Sequence, residues 1–140
     1  MPCRFSFFPY TLKFRFLAGT SRGNYKERSV IVIKISKNNA IGYGEIAPLP
    51  GLSAERYDEL LYFMPDLKKK LENTYIGNHE EFIYQQDILK FPSLVMALET
   101  ALLDLENNGI RKVFDGPFFQ GIRPIPINGL IWMNSFKHMK

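Results

Sequence analysis

Residues 42 to 51 read Gly-Tyr-Gly-Glu-Ile-Ala-Pro-Leu-Pro-Gly, and this string constrains the chain more than any other. Gly42 and Gly44 strip side chains from alternate positions on one face of a strand, which permits close backbone approach or a bulge. Pro48 and Pro50 fix their own φ and hold Ala47 and Leu49 in extended conformations. Gly51 is then free to turn ahead of a helix. A stiff loop with an apolar tip must therefore join a strand to a helix, and such a loop is suited to lying against something. Glu45, just before it, has two readings: an acid or base, or a structural hydrogen-bond partner for the loop amides.

The flanking pattern supplies the rest of the architecture. Across residues 4 to 17, Phe8, Tyr10, Leu12, Phe14 and Phe16 alternate with Thr11, Lys13 and Arg15, the period of a half-buried strand. Residues 18 to 28 are polar and carry glycine, which predicts a loop. Ser29 to Ser36, with Val30-Ile31-Val32-Ile33 at its centre, predicts a second strand. Lys37-Asn38-Asn39 predicts a tight turn into a third strand over Ala40 to Ile46. The expected fold class is α+β, a three-stranded antiparallel meander followed by a helical bundle. Ser53 is the expected N-cap of the first helix, with Glu55 in its first turn. Tyr57, Leu60, Leu61, Met64, Leu67 and Leu71 share its apolar face, and Pro65 predicts a kink or two abutting helices. Residues 79 to 89 predict a short helix. Pro92 or Ser93 opens the clearest helix, with Leu94, Leu98, Ala101, Leu102 and Leu105 on one face and Asn108-Gly109 as its stop. Ile125 to Met133 is apolar almost without a break, as in a strand buried on both faces.

Composition narrows the function. The chain has 140 residues, 46% hydrophobic, enough to bury a core. A net charge of +4 with scattered basic residues argues against nucleic acid as a partner. The one basic cluster, Lys68-Lys69-Lys70, sits beside Asp66 and Glu72 and reads as a solvated helix end. No run approaches the length of a membrane span, and the first residues lack the apolar core of a signal peptide. Cys3 is the only cysteine, so no internal disulfide and no cysteine metal site is expected, and a cytoplasmic location follows.

Catalytic groups are sparse. His79 and His138 lie in no metal-binding pattern and read as exposed helix-end residues. Glu99 and Asp104 point to different sides of one helix. There is no Walker loop, and Gly42-Tyr-Gly-Glu lacks the third glycine of a dinucleotide fingerprint. The loop Gly19-Thr20-Ser21-Arg22-Gly23 offers more. Hydroxyls, free amides and the Arg22 guanidinium are groups that receive a carboxylate, although the pentapeptide by itself also fits a plain solvated hairpin loop. In a meander, this loop and the segment after the third strand emerge at one end of the sheet, so residues 18 to 24 and 46 to 52 can meet around one ligand.

Taken together, the Gly19–Gly23 loop, the Gly42–Ser53 string, the helix with Ala97-Leu-Glu-Thr-Ala-Leu-Leu-Asp104 and the strand Ile125-Pro-Ile-Asn-Gly-Leu-Ile-Trp-Met133 resemble the N-terminal part of the enolase superfamily, muconate-lactonizing subgroup. Within it the chain is most similar to the o-succinylbenzoate synthase family. The resemblance implies a capping domain over residues 1–120 and the start of a (β/α)7β barrel over 121–140, truncated here. It implies a lyase of menaquinone synthesis that dehydrates a small carboxylate, 2-succinyl-6-hydroxy-2,4-cyclohexadiene-1-carboxylate. It also implies a Mg²⁺ ion held by three acidic residues and a lysine in a Lys-x-Lys motif that abstracts the proton α to the carboxylate.

None of those catalytic or metal-binding groups has a counterpart in this sequence, so only the capping role carries over. Gly19, Thr20, Ser21, Arg22 and Gly23 match the first capping loop. Pro48, Leu49, Pro50, Gly51 and Leu52 match the second. The chain alone is expected to be inactive. Dipeptide epimerase, N-acylamino-acid racemase and muconate cycloisomerase share the same cap. A stand-alone binding or assembly module, oligomeric through strand 125–133, is the reading of a different class.

Overall fold

A computed structural model of the chain describes residues 2–21, 23–72, 74–85 and 87–129. It contains β1 (Arg4–Thr20), β2 (Gly23–Lys37), β3 (Ala40–Ile46), α1 (Tyr57–Leu71), α2 (His79–Tyr84) and α3 (Pro92–Glu106). The strands form one sheet in the order β1-β2-β3. The chain divides into two compact units: residues 1–10 with 29–113, and residues 11–28 with those from 114 on.

The first unit holds the core. β2 and β3 pair antiparallel with Ile31 opposite Ile46, Ile33 opposite Gly44 and Ile35 opposite Gly42. Strand alternation puts these six on one face, and all are buried. α3 lies on that face. A Cβ added to Gly42 would fall on the carbonyl of Ala101, and one added to Gly44 on the carbonyl of Ala97. The two glycines therefore mark the close approach of helix to strand, and Ala97 and Ala101, one turn apart, are the small residues that meet them. The tight turn is present, with Asn38 at φ 54°. α3 stops as expected: Gly109, at φ 71°, donates its N–H to the Asp104 carbonyl at 2.7 Å.

α1 buries Leu60, Met64, Leu67 and Leu71, the spacing read from the sequence. Two details differ. Arg56, not Ser53, precedes its first turn, because the Ser53 hydroxyl is used inside the loop before it. Pro65 sits within one continuous helix rather than dividing two. Its ring is exposed, so the core face is undisturbed. α2 is only six residues, shorter than the 79–89 segment expected, and Asn78 caps it by accepting from Glu81 N–H at 3.0 Å.

β1 corrects the reading of its alternation. The period of two holds, but the core receives the other parity: Cys3 and Phe5 are buried and Phe7 packs against them. Phe8, Tyr10, Leu12, Phe14 and Phe16 are all exposed, between 41% and 62%. The expected loop over 18 to 28 also shrinks, because β1 runs to Thr20 and β2 begins at Gly23. Residues that pair across a hairpin need no long connection.

In the second unit, Phe119 packs edge to ring against Phe118 and at a tilt of 56° against Phe114, with ring centroids 5.4 Å apart in each pair. Pro117 accepts the N–H of Ile122 and of Arg123, which closes a turn. Residues 124–129 form no strand, and Ile125 and Ile127 are exposed. The expected strand 125–133 is therefore absent over its first five residues, and Leu130–Met133 lie outside the described residues.

Candidate functional site

The loop after β3 is closed by its own hydrogen bonds. Leu49 donates its N–H to the Ser53 hydroxyl at 2.9 Å. Ser53 and Leu52 return their N–H groups to the Leu49 carbonyl, at 2.9 and 3.1 Å. Pro48 and Pro50 have no N–H to satisfy, and Gly51 takes φ 72° at the bend. Every constraint read from the sequence converges on a five-residue closed turn. Pro48 is buried beneath it, while Leu49, Pro50, Gly51 and Leu52 are turned outward. A depression of about 360 Å³ adjoins it, lined by Pro48, Pro50, Gly51, Ser53, Glu55 and Tyr57 among others.

Glu55 ties this turn to the core. Its carboxylate is buried, and Oε1 accepts the N–H of Ser93 at 2.7 Å. Burial opposes ionisation, but the Ser93 hydroxyl and amide beside it outweigh that and leave the Glu55 carboxyl below its usual range. The hydroxyl's geometry falls short of a hydrogen bond, so the backbone amide is the firm contact. Next to it, Arg56 and Asp58 pair through two hydrogen bonds at 2.7 and 3.0 Å; that contact holds the Asp58 carboxyl below its usual range and raises the Arg56 guanidinium. Both are exposed to solvent, so the pair adds little to stability.

Glu45 does not serve as the anchor. It is exposed on β3, opposite Val32, and the Leu49, Leu52 and Ser53 amides find their acceptors within the loop, at the Ser53 hydroxyl and the Leu49 carbonyl. Sequence reasoning placed Glu55 in a first helical turn and missed its role. A signal was present: Phe91 cannot cap a helix with its side chain and Pro92 has no N–H, so the Ser93 amide needed an acceptor from elsewhere.

The first candidate loop is the tip of the β1–β2 hairpin. Gly19 and Thr20 end β1, Ser21 is in the turn, and Gly23 opens β2 at φ 138°. Thr20 Oγ1 donates to the Gly23 carbonyl at 2.9 Å. Arg22 lies outside the described residues. This tip belongs to the second unit and the Leu49–Ser53 turn to the first.

Other polar groups serve the scaffold. Asp104, 2% exposed, accepts the Arg111 N–H at 2.9 Å and faces its Nε at 3.2 Å, and the Arg111 guanidinium stacks 4.7 Å from the Tyr43 ring. His79 opens α2, the helix-end position expected of it, but is half-buried instead of exposed, and its Nδ1 meets Glu106 Oε1 at 2.9 Å; His138 lies outside the described residues. A depression of about 510 Å³ by the β2–β3 turn, with Cys3, Lys37 and Glu106 in its lining, contains none of the predicted site residues. Among the described residues, no three His, Cys, Asp or Glu side chains are grouped to hold a metal ion, so this part of the chain does not fit a Mg²⁺ site. No helix among them is long and apolar enough to cross a membrane.

Comparison with known proteins agrees with this architecture. A curated o-succinylbenzoate synthase from Desulfotalea psychrophila is 29% identical over 154 aligned residues, which take in 92% of this chain and 42% of that protein. The chain thus spans less than half the length of that relative. The crystal structure of MenC from the same organism superposes with a TM-score of 0.74 at 22% identity, over 99% of this chain and 44% of that one. The o-succinylbenzoate synthase of Thermosynechococcus elongatus, solved with Mg in its active site, gives 0.57 at 23% identity over 73% of this chain and 30% of that one. A dipeptide epimerase from Cytophaga hutchinsonii, complexed with Mg and a dipeptide, gives 0.65 at 23% over 76% and 30%. At these identities the solved structures establish the fold alone, a three-stranded sheet followed by helices, as expected from the sequence. The family model described as the MenC N-terminal domain matches residues 4–105, most of the chain, and the chain belongs to that family.

Proposed function

We propose that this chain is the capping, substrate-selecting part of a Mg-dependent o-succinylbenzoate synthase, a lyase that dehydrates 2-succinyl-6-hydroxy-2,4-cyclohexadiene-1-carboxylate in menaquinone synthesis. The observation that carries this reading is the closed Leu49–Ser53 turn, which holds two apolar side chains outward on a frame fixed by hydrogen bonds. Leu49 and Leu52 would lie over the succinyl chain and exclude water, while Thr20, Ser21 and the Arg22 guanidinium would receive a carboxylate. The exposed Phe8, Tyr10, Leu12, Phe14 and Phe16 support the same reading, since an apolar stripe of that length marks a surface meant to be covered. In this reading the cap covers residues 1–120, a barrel begins at 121, and the Mg²⁺ ion and the lysines that move the proton belong to that barrel. The cytoplasmic location, and any association through residues 125–133, stay part of the proposal.

Steady-state kinetics on the full-length protein test it. Leu49→Ala should raise KM for the cyclohexadiene substrate about fivefold, the loss of one buried side-chain contact. Turnover of a dipeptide or an N-acylamino acid in place of that substrate would assign the cap to another branch of the superfamily.

A further inference from the structure

The start of α3 lacks a local cap. Phe91 precedes it with no side-chain hydrogen bond, and Pro92 contributes no donor. Leu94 and Val95 both return their N–H groups to the Phe91 carbonyl. That leaves the Ser93 amide, which is satisfied by Glu55 from 38 residues away. A buried donor left unpaired is costly, and an ionised acceptor at a helix N-terminus gains from the dipole as well as from the bond.

The same carboxylate is only two residues past Ser53, which closes the outward-facing turn. One bond therefore fixes the base of the loop against the most buried helix of the unit. Ser93 stands at the start of a helix seated in the core through Leu94, Ala97, Leu98, Ala101 and Leu102, all buried. Placement of the loop is thus referred to the sheet–helix core and not to the solvent-exposed start of α1.

We infer that Glu55 is a positioning residue for substrate selection, holding the Leu49–Ser53 turn as a fixed wall by its bond to the Ser93 amide. The inference rests on the proposed capping function, which it deepens. A fixed wall contributes to binding equally before and during the reaction, so its displacement raises KM and leaves kcat in place. A residue that only stabilised the fold would lower the active fraction, and with it kcat, at constant KM.

Two measurements decide the matter. In hydrogen exchange on the 140-residue chain, Glu55→Ala should speed exchange of the Leu52, Ser53 and Ser93 amides at least about tenfold, with the β2–β3 amides unchanged. Glu55→Gln keeps an acceptor oxygen and should stay within about threefold of the parent. In kinetics on the full-length protein, Glu55→Ala should raise KM about tenfold with kcat within about twofold, and Glu55→Gln should recover most of that loss. Unchanged exchange at Leu52 and Ser53 in Glu55→Ala would overturn the inference. So would faster exchange with an unaltered KM, or a fall in kcat alone. If the unsubstituted protein does not turn over the cyclohexadiene substrate, the functional proposal fails, and the exchange result still decides whether Glu55 fixes the loop.

Discussion

At the scale of single residues, the most constrained positions are those where two backbones meet. Gly42 and Gly44 lie under Ala101 and Ala97 with no room for a methyl group. Because the obstructing atoms are helix backbone, a side chain cannot rotate away and the helix itself must move. Gly44→Ala should therefore destabilise the chain by about 3 kcal/mol or more, read as a lower midpoint in urea denaturation. A loss under about 1 kcal/mol would mean that α3 does not seat on β3 as described. These glycines were legible in the sequence as a site of close approach, but not what approached them. That knowledge needs the register that brings Ile35 opposite Gly42 and Ile33 opposite Gly44. Arg22 and the hydroxyl-bearing tip around it were legible only as chemistry.

At the scale of elements, the sequence showed which segments are helices better than how they are capped. The apolar spacing of α1 and α3 follows from the 3.6-residue period and is recovered in their buried faces. The caps depend on groups distant in sequence, and there the reading failed at Ser53 and Glu55. Linkage gives a check on the α3 cap. The Glu55 carboxyl titrates below its usual range when folded, so its contribution is complete above the ordinary glutamate value of about 4.3 and is lost as pH falls through the folded value. Arg56 and Asp58, the other charged residues lining the same depression, pair with each other. The stability advantage of the parent chain over Glu55→Gln should thus be greatest near pH 6 and shrink towards pH 3, measured by denaturation at each pH. A gap that widens on acidification would contradict the assignment. Pro65 offers a second check. It forgoes one backbone hydrogen bond in mid-helix while its ring is exposed, so Pro65→Ala should stabilise the chain by about 2 kcal/mol and raise its melting temperature.

At the scale of the whole molecule, composition and patterning gave the class, and the β1 stripe shows where they stop. Alternation identifies a strand with one apolar face, but cannot say whether that face turns toward its own helices. Cys3, just before β1, and Phe5 within it join the core and Phe7 packs against it, while Phe8, Tyr10, Leu12, Phe14 and Phe16 stand open. That exposed apolar stripe is the feature of β1 on which the proposed capping role leans. The most direct measurement joins residues 1–120 of this chain to the remainder of the Desulfotalea psychrophila synthase in place of its own N-terminal domain. Dehydration of 2-succinyl-6-hydroxy-2,4-cyclohexadiene-1-carboxylate is then followed with Mg²⁺ for the joined protein, for that remainder alone and for the 140-residue chain alone. The account predicts turnover by the joined protein and none by either part. Turnover by the 140-residue chain alone, or a joined protein no more active than the remainder without a cap, would contradict it.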